Sequence, residues 1–116
     1  MAARRRRRER LKAPHSDYGG AEGSLLTLRG ALTPASRRQY AETRAGNPLS
    51  QEDAWQRATE LLFERLAVRW EIAGAPITRQ RELLARYRAA GAEERRWVRD
   101  VLREHCAVHF PDVQAP

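Results

Sequence analysis

The sequence has little cysteine and no long apolar run, and each absence excludes a class of protein. Cys106 is the only cysteine, so the chain forms no intrachain disulfide and suits a reducing compartment. No apolar stretch approaches the roughly 20 residues that a membrane-spanning helix requires. We therefore predict a cytoplasmic protein that has no membrane partner.

The motifs of common enzyme sites are also missing. No glycine-rich loop follows a strand pattern, and no serine lies in a nucleophile-elbow setting. His105 and His109 are four residues apart beside Cys106, a spacing that can bring two imidazoles to one zinc ion. A structural zinc site needs four ligands, however, and the sequence offers no second cysteine. We therefore predict no enzymatic activity, no metal site and no cofactor.

Lysine is almost absent, whereas arginine is abundant. Lys12 is the single lysine among 22 basic residues, which outnumber 15 acidic ones and give a formal net charge of +7. Seven basic residues and Glu9 give residues 1–12 a net charge of +6, while residues 51–116 hold eleven arginines and eleven acids. A basic excess is typical of nucleic-acid-binding chains. Here it is concentrated at the N-terminus.

The N-terminal segment combines this charge with almost no apolar residues, so ordering it would bury too little surface to offset the entropy lost. We predict a disordered basic tail over residues 1–24 and a single small domain over residues 25–116. The run fits electrostatic contact with a nucleic-acid backbone, a solubilising extension or a misassigned start site. The candidate contact residues in the tail are Arg4, Arg5, Arg6, Arg7, Arg8 and Arg10.

Apolar periodicity and capping residues predict four helices, over about residues 34–45, 51–73, 79–90 and 92–110. Thr33 and Pro34 form a typical helix start, and Gly46 lies where that helix ends. The second helix runs from Ser50 to Gly74 and is apolar over most of its circumference, which is typical of a central helix.

These helices predict an all-α fold, a small helical bundle of about four helices whose last three form the core. Residues 24–32 are apolar but too short to assign. Trp55 and Trp70 lie about 60° apart on the wheel of the second helix, so both are predicted to be buried. A core of only about 60 residues is marginal, which favours association with a protein partner or with a second copy.

Two further sets of arginines are candidate sites. Arg95, Arg99 and Arg103 recur every four residues on the last predicted helix and form a stripe. Such a stripe meets nucleic-acid phosphates, an acidic protein surface or only solvent. Arg65 and Arg69 lie inside the apolar sector of the second predicted helix, with no acid one turn away. Their position predicts a buried ion pair with another helix or a bound anionic ligand.

The predicted function is that of a small non-enzymatic helical binding or accessory module, which associates with a protein partner or with itself. The alternative is a nucleic-acid-binding protein that uses the N-terminal arginine run and the stripe from Arg95 to Arg103. The neutral charge of residues 51–116 favours the first, because a neutral domain attracts phosphate weakly.

Overall fold

Strands as well as helices form along the chain, so the all-α prediction is wrong. The computed structural model describes residues 14–46 and 50–115, which contain four helices and one four-stranded antiparallel sheet. A 3₁₀ turn at Ala21–Gly23 connects the first two strands. In chain order the elements are β1 (His15–Gly19), β2 (Leu25–Arg29), α1 (Pro34–Ala45), α2 (Gln51–Leu66), β3 (Ala67–Ile72), β4 (Ala75–Ile77), α3 (Gln80–Ala89) and α4 (Ala92–His109). The architecture is α+β.

The sheet has the strand order β1-β2-β3-β4, so β2 and β3 are neighbours although α1 and α2 lie between them in sequence. Residues directly opposite each other across antiparallel strands share a face of the sheet. One such row is Tyr18, Leu26, Trp70 and Ile77. The next row contains Asp17, Thr27 and Arg69, and the Thr27 hydroxyl donates to the Asp17 carboxylate at 2.6 Å. The sheet therefore has an apolar face and a polar one.

The core lies between the apolar face of the sheet and the helices. Leu26, Leu28 and Trp70 are fully buried there. The Phe63 ring of α2 packs edge-on against Trp70 with centroids 5.8 Å apart, and it stacks on Tyr87 of α3 at 5.0 Å. The prediction that the last three helices form the core is wrong, because the sheet supplies one of its walls.

The second predicted helix is a helix followed by a hairpin. It ends at Leu66 rather than at Gly74, and β3 begins at once. In β3, Trp70 is buried while Arg69 on the opposite face is exposed, which is the two-residue period of a strand. Ala73 and Gly74 both have positive φ, 50° and 79°, as the central residues of a tight hairpin turn require. The apolar residues of this segment fit both the 3.6-residue period of a helix and the two-residue period of a strand. The tight turn at Ala73 and Gly74 favours the pair of strands.

The predicted disordered segment over residues 1–24 is corrected in its second half. Residues 15–19 form β1, which pairs with β2 from Gly19 opposite Leu25 to His15 opposite Arg29. The ordered chain therefore extends N-terminal to the predicted boundary at residue 25. Residues 1–13 lie outside the described residues.

The starts and ends of the other helices match the prediction closely. The Thr33 hydroxyl accepts from the backbone N–H of Ser36 at 3.1 Å, and Pro34 opens α1. Gly46 ends α1 with a φ of 46°, a conformation that favours glycine. The last helix covers Ala92–His109, against a predicted range of about 92–110.

Candidate functional site

A cleft of about 830 Å³ opens between the N-terminal part of α2 and α4. Trp55 lies on its α2 side and is 42% exposed, so the prediction that it is buried is wrong. Trp55 and Val108 are the exposed large hydrophobic side chains of the described residues. The cleft is therefore a place where the protein presents an aromatic ring to solvent.

The opposite wall of this cleft consists of arginine side chains. Arg95, Arg99 and Arg103 are one turn apart on α4, so they share one face, and Arg96 lies beside them. All four line the cleft, and Glu52 is the only carboxylate among the described residues that do so. The predicted stripe is thus part of the wall of a cleft and does not lie on a flat, fully exposed surface.

The four guanidinium groups have different surroundings. Arg95 is half-buried, and its Nε donates to the carbonyl of Ala90 at 2.9 Å, which fixes its stem. Arg103 lies 3.5 Å from the Asp100 carboxylate. Arg96 and Arg99 are exposed and form no ion pair with a described residue. The middle of the stripe therefore presents positive charge that the described residues do not neutralise.

Tyr87 of α3 lies at the bottom of the cleft. Burial raises the pKa of its hydroxyl, and the positive charges of Arg99 and Arg95 oppose that rise. The Thr59 hydroxyl, also in the lining, donates to the backbone carbonyl of Trp55 at 2.9 Å. Both hydroxyls thus line the cleft together with the arginines, and neither donates a hydrogen bond to a carboxylate or an imidazole of the described residues.

Trp55 also lines a second groove, of about 500 Å³, between α1 and the C-terminal segment. Arg37 in this groove pairs with Asp112 and lies over the Phe110 ring, 5.3 Å from its centroid. Arg44 forms no ion pair with a described residue and is 3.4 Å from the side-chain oxygen of Gln114. Trp55 therefore lines two grooves, and arginine side chains line each of them as well.

Three acidic residues line a different groove. A third groove, at the N-terminal end of α4, is lined by Glu22, Glu93, Glu94 and Trp97, with no basic residue among its described lining residues. Glu94 pairs there with Arg86 at 2.6 Å. The basic cleft and this acidic groove are thus separate places on a surface whose other charges include several arginine–carboxylate ion pairs.

The remaining predicted arginines are not brought together. Arg65 is on α2 and donates to the side-chain oxygen of Gln39 at 3.0 Å, whereas Arg69 is on β3 and lies 3.4 Å from Glu71. Arg69 is exposed, so the expected buried ion pair does not form among the described residues at these positions. The ion pair is not found because the two residues lie on different elements and not one turn apart on one helix, and a bound anionic ligand at these positions stays a prediction. The tail candidates from Arg4 to Arg10 lie outside the described residues.

The two histidines of α4 hold β1 in place. His105 is fully buried, and its Nε2 lies 2.8 Å from the carbonyl oxygen of Arg29 while its Nδ1 lies 2.8 Å from the Tyr18 hydroxyl. A carbonyl oxygen only accepts, so Nε2 carries the proton and Nδ1 accepts from Tyr18. Neither nitrogen is open to a metal ion, and the described residues contain no cluster of three metal-ligating side chains.

Cys106 is expected to be unreactive in the folded protein. The side chain is buried, and burial raises the pKa of its thiol to about 11, so the nucleophilic thiolate is scarce near neutral pH. A disulfide reagent that reacts with free thiols is expected to label Cys106 far more slowly in the native protein than in the guanidinium-unfolded protein at the same pH. A small free thiol serves as the rate standard, and labelling of the native chain at that standard rate would contradict the burial of Cys106.

Trp55 and Tyr87 are the cleft residues that sequence reasoning missed. On the α2 wheel Trp55 shares the apolar sector of Ala58 and Leu62, which are buried. A wheel gives the direction of a side chain but not whether a neighbouring element covers that level of the helix. The available signal was the polar sequence around Trp55, from Gln51 to Arg57.

Comparison with known proteins finds no matching protein-family model, no matching curated protein and no matching solved structure. In the part of the chain that the structure describes, no helix is both long and apolar enough to cross a membrane. The function is therefore inferred from the geometry and chemistry of the cleft.

Proposed function

We propose that the protein is a non-enzymatic nucleic-acid-binding protein whose binding surface is the cleft between α2 and α4. One observation carries the proposal: four arginines of α4 line a single open cleft that contains one carboxylate among its described lining residues. Guanidinium groups bind phosphate oxygens through paired, charge-assisted hydrogen bonds. Arg95, Arg99 and Arg103 rise by about 6 Å per step along the helix, so they can contact several phosphates of one backbone.

The same geometry favours binding over catalysis. Among the described lining residues, the hydroxyl groups of Thr59 and Tyr87 are the nucleophile candidates and Glu52 is the one carboxylate. The Thr59 hydroxyl is engaged with the α2 backbone, and burial raises the pKa of Tyr87. A general base within reach of either hydroxyl would be needed for covalent chemistry.

Association with a protein partner or with a second copy stays a prediction, and the structure offers it less support. The sheet adds apolar residues to the core, which weakens the argument that the domain needs a partner for stability. Large exposed hydrophobic side chains among the described residues are limited to Trp55 and Val108. Stable protein interfaces usually contain a larger apolar centre.

The compartment that suits this proposal is the cytoplasm. Cys106 is a free, buried thiol and the chain has no second cysteine. A small protein without disulfides suits a reducing compartment, where nucleic acid is also present.

The test is the substitution Arg99→Glu in the full-length chain, with affinity for a labelled oligonucleotide measured by fluorescence anisotropy at two salt concentrations. Because Arg99 is exposed and has no acidic partner among the described residues, reversal of its charge is expected to weaken binding by about tenfold. The loss is expected to be equal for unrelated sequences, since phosphate contacts carry no sequence information. The dependence on salt is expected to become less steep.

Arg81→Glu is the matched control, because it makes the same charge change at an exposed arginine of α3 outside the three grooves. Replacement of the five arginines Arg4–Arg8 by serine in a further full-length variant measures what the N-terminal run adds. If Arg99→Glu and Arg81→Glu reduce the affinity equally, or if the tail variant alone abolishes binding, the cleft is not the binding surface and the proposal fails.

A further inference from the structure

The position of Trp55 carries an inference about which form of nucleic acid the cleft binds. Its indole is 42% exposed and lines both the cleft at α4 and the groove at α1. Tryptophan is large and usually well buried, so an exposed one between two arginine-containing grooves marks a contact surface. Its backbone is part of a regular helix, and its carbonyl accepts from Thr59 at 2.9 Å, so the ring is presented from a rigid support.

We propose that Trp55 is a stacking platform for an unpaired base, so that the protein binds single-stranded nucleic acid. This inference rests on the proposed function, because the arginines must first hold the backbone. In a duplex each base is covered on both faces by its neighbours, whereas an unpaired base offers its flat face to an aromatic side chain. An aromatic ring flanked by positive charge is the arrangement that single-strand-binding proteins use.

The two grooves define a path for the strand. On the α4 side, Arg96 and Arg99 present charge without an acidic partner among the described residues. On the α1 side, Arg44 likewise has no acidic partner among the described residues, whereas Arg37 is already paired with Asp112. A strand that crosses Trp55 therefore has a phosphate contact on each side of the stacked base. Because every base has a π face, such binding is expected to tolerate changes of sequence.

The experiment compares Trp55→Ala with the unaltered full-length chain on four probes. The probes are an oligothymidylate of about 15 nucleotides, an oligouridylate of the same length, a duplex of that length, and heparin as a polyanion without bases. We expect the unaltered chain to prefer the single strands over the duplex. We expect Trp55→Ala to weaken single-strand binding by roughly tenfold and to leave duplex and heparin binding unchanged.

Two further variants separate stacking from a change of structure. Trp55→Phe keeps an aromatic face and is expected to retain most of the single-strand affinity, whereas Val108→Ala removes exposed apolar surface of α4 outside the described grooves and is expected to change nothing. Far-UV circular dichroism of each variant confirms that it is folded. An equal loss with oligothymidylate and oligouridylate supports stacking on either backbone, and a loss in one arm alone identifies DNA or RNA.

The outcomes also distinguish this inference from the proposed function. If Arg99→Glu weakens all four probes but Trp55→Ala affects single strands no more than the duplex, stacking is overturned and the cleft remains a phosphate-binding surface. If the unaltered chain prefers the duplex, stacking is overturned as well. If Arg99→Glu changes no probe, the proposed function fails and the stacking inference fails with it.

Discussion

Replacement of Trp70 by alanine is expected to lower the free energy of unfolding by about 3–5 kcal/mol, the usual cost of removing a large buried aromatic side chain. Trp70 is fully buried on β3, where Phe63 packs against it in an edge-on contact and the Arg86 guanidinium lies 5.2 Å from the ring centroid. Domains of this size are stabilised by only about 5–15 kcal/mol in total, so the loss is a large fraction of the stability. Guanidinium denaturation followed by far-UV circular dichroism measures it.

Trp55→Ala is the matched control, because it removes the same side chain from an exposed position of the same chain. Its cost is expected to be about 1 kcal/mol or less, as for other substitutions away from the core. Equal denaturation midpoints for Trp70→Ala and the unaltered protein would contradict the placement of Trp70 at the centre of the core.

These two tryptophans show what could be predicted from the sequence around them. The burial of Trp70 was predicted correctly, since its apolar neighbours are close in either a helix or a strand. Its element was predicted wrongly, because residues 67–72 satisfy both periods and the helix before them has no stop signal of its own. The unusual position of Arg65 and Arg69 within an apolar helical sector was the local sign that the helical period ends before Arg69.

The first strand illustrates a different limit. The sequence of β1 contains one large apolar residue, Tyr18, so no local pattern predicts a strand. β1 forms because β2 pairs with it and because the Tyr18 hydroxyl donates to His105, 87 positions further along the chain. Contacts over such separations are decided by the complete fold and do not appear in a window of residues.

The candidate site also has one part that the local sequence predicts and one part that depends on the complete fold. The arginine stripe could be predicted because Arg95, Arg99 and Arg103 depend only on the periodicity of one helix, and α4 is that helix. The cleft could not be predicted, because it requires the N-terminal part of α2 to lie opposite α4. The lining of one cleft by four arginines and a single described carboxylate is equally non-local, and the net charge of the domain does not reveal it.

Acidification is expected to destabilise the protein through His105. Burial lowers the pKa of this imidazole below its ordinary value of 6.5, the hydrogen bond to the Arg29 carbonyl opposes that shift, and the charge of His109 adds to it. The groups that face His105 are the Tyr18 hydroxyl and the Arg29 carbonyl from the strands, with the His109 ring 4.4 Å away on α4. None of them is a carboxylate that would favour the imidazolium.

The direction of this pH dependence follows from the number of protons that the folded and unfolded states bind. Between the lowered pKa of the folded state and 6.5, the unfolded chain binds more protons than the folded one, so the free energy of unfolding rises with pH across that window. The stabilisation is complete above about 6.5 and is lost as the pH falls through the window to the folded-state pKa. The lowered pKa of Asp112, which the hydrogen bond from Arg37 causes, acts only below the ordinary aspartate value of 3.8. The decline in the free energy of unfolding just below pH 6.5 therefore reports on the protonation of His105.

The measurement is the denaturation midpoint from pH 5 to pH 8 for the unaltered protein and for His105→Gln, which does not titrate. The variant is expected to be less stable by about 1–3 kcal/mol at pH 8, because glutamine cannot satisfy both the Tyr18 hydroxyl and the Arg29 carbonyl with the same geometry. Its stability is expected to depend less on pH below 6.5, so the two curves converge on acidification. His15→Gln, which removes an exposed histidine from β1, is the control for a general change in charge. Parallel curves for His105→Gln and the unaltered protein would show that the buried imidazole does not couple protonation to the attachment of β1 to α4.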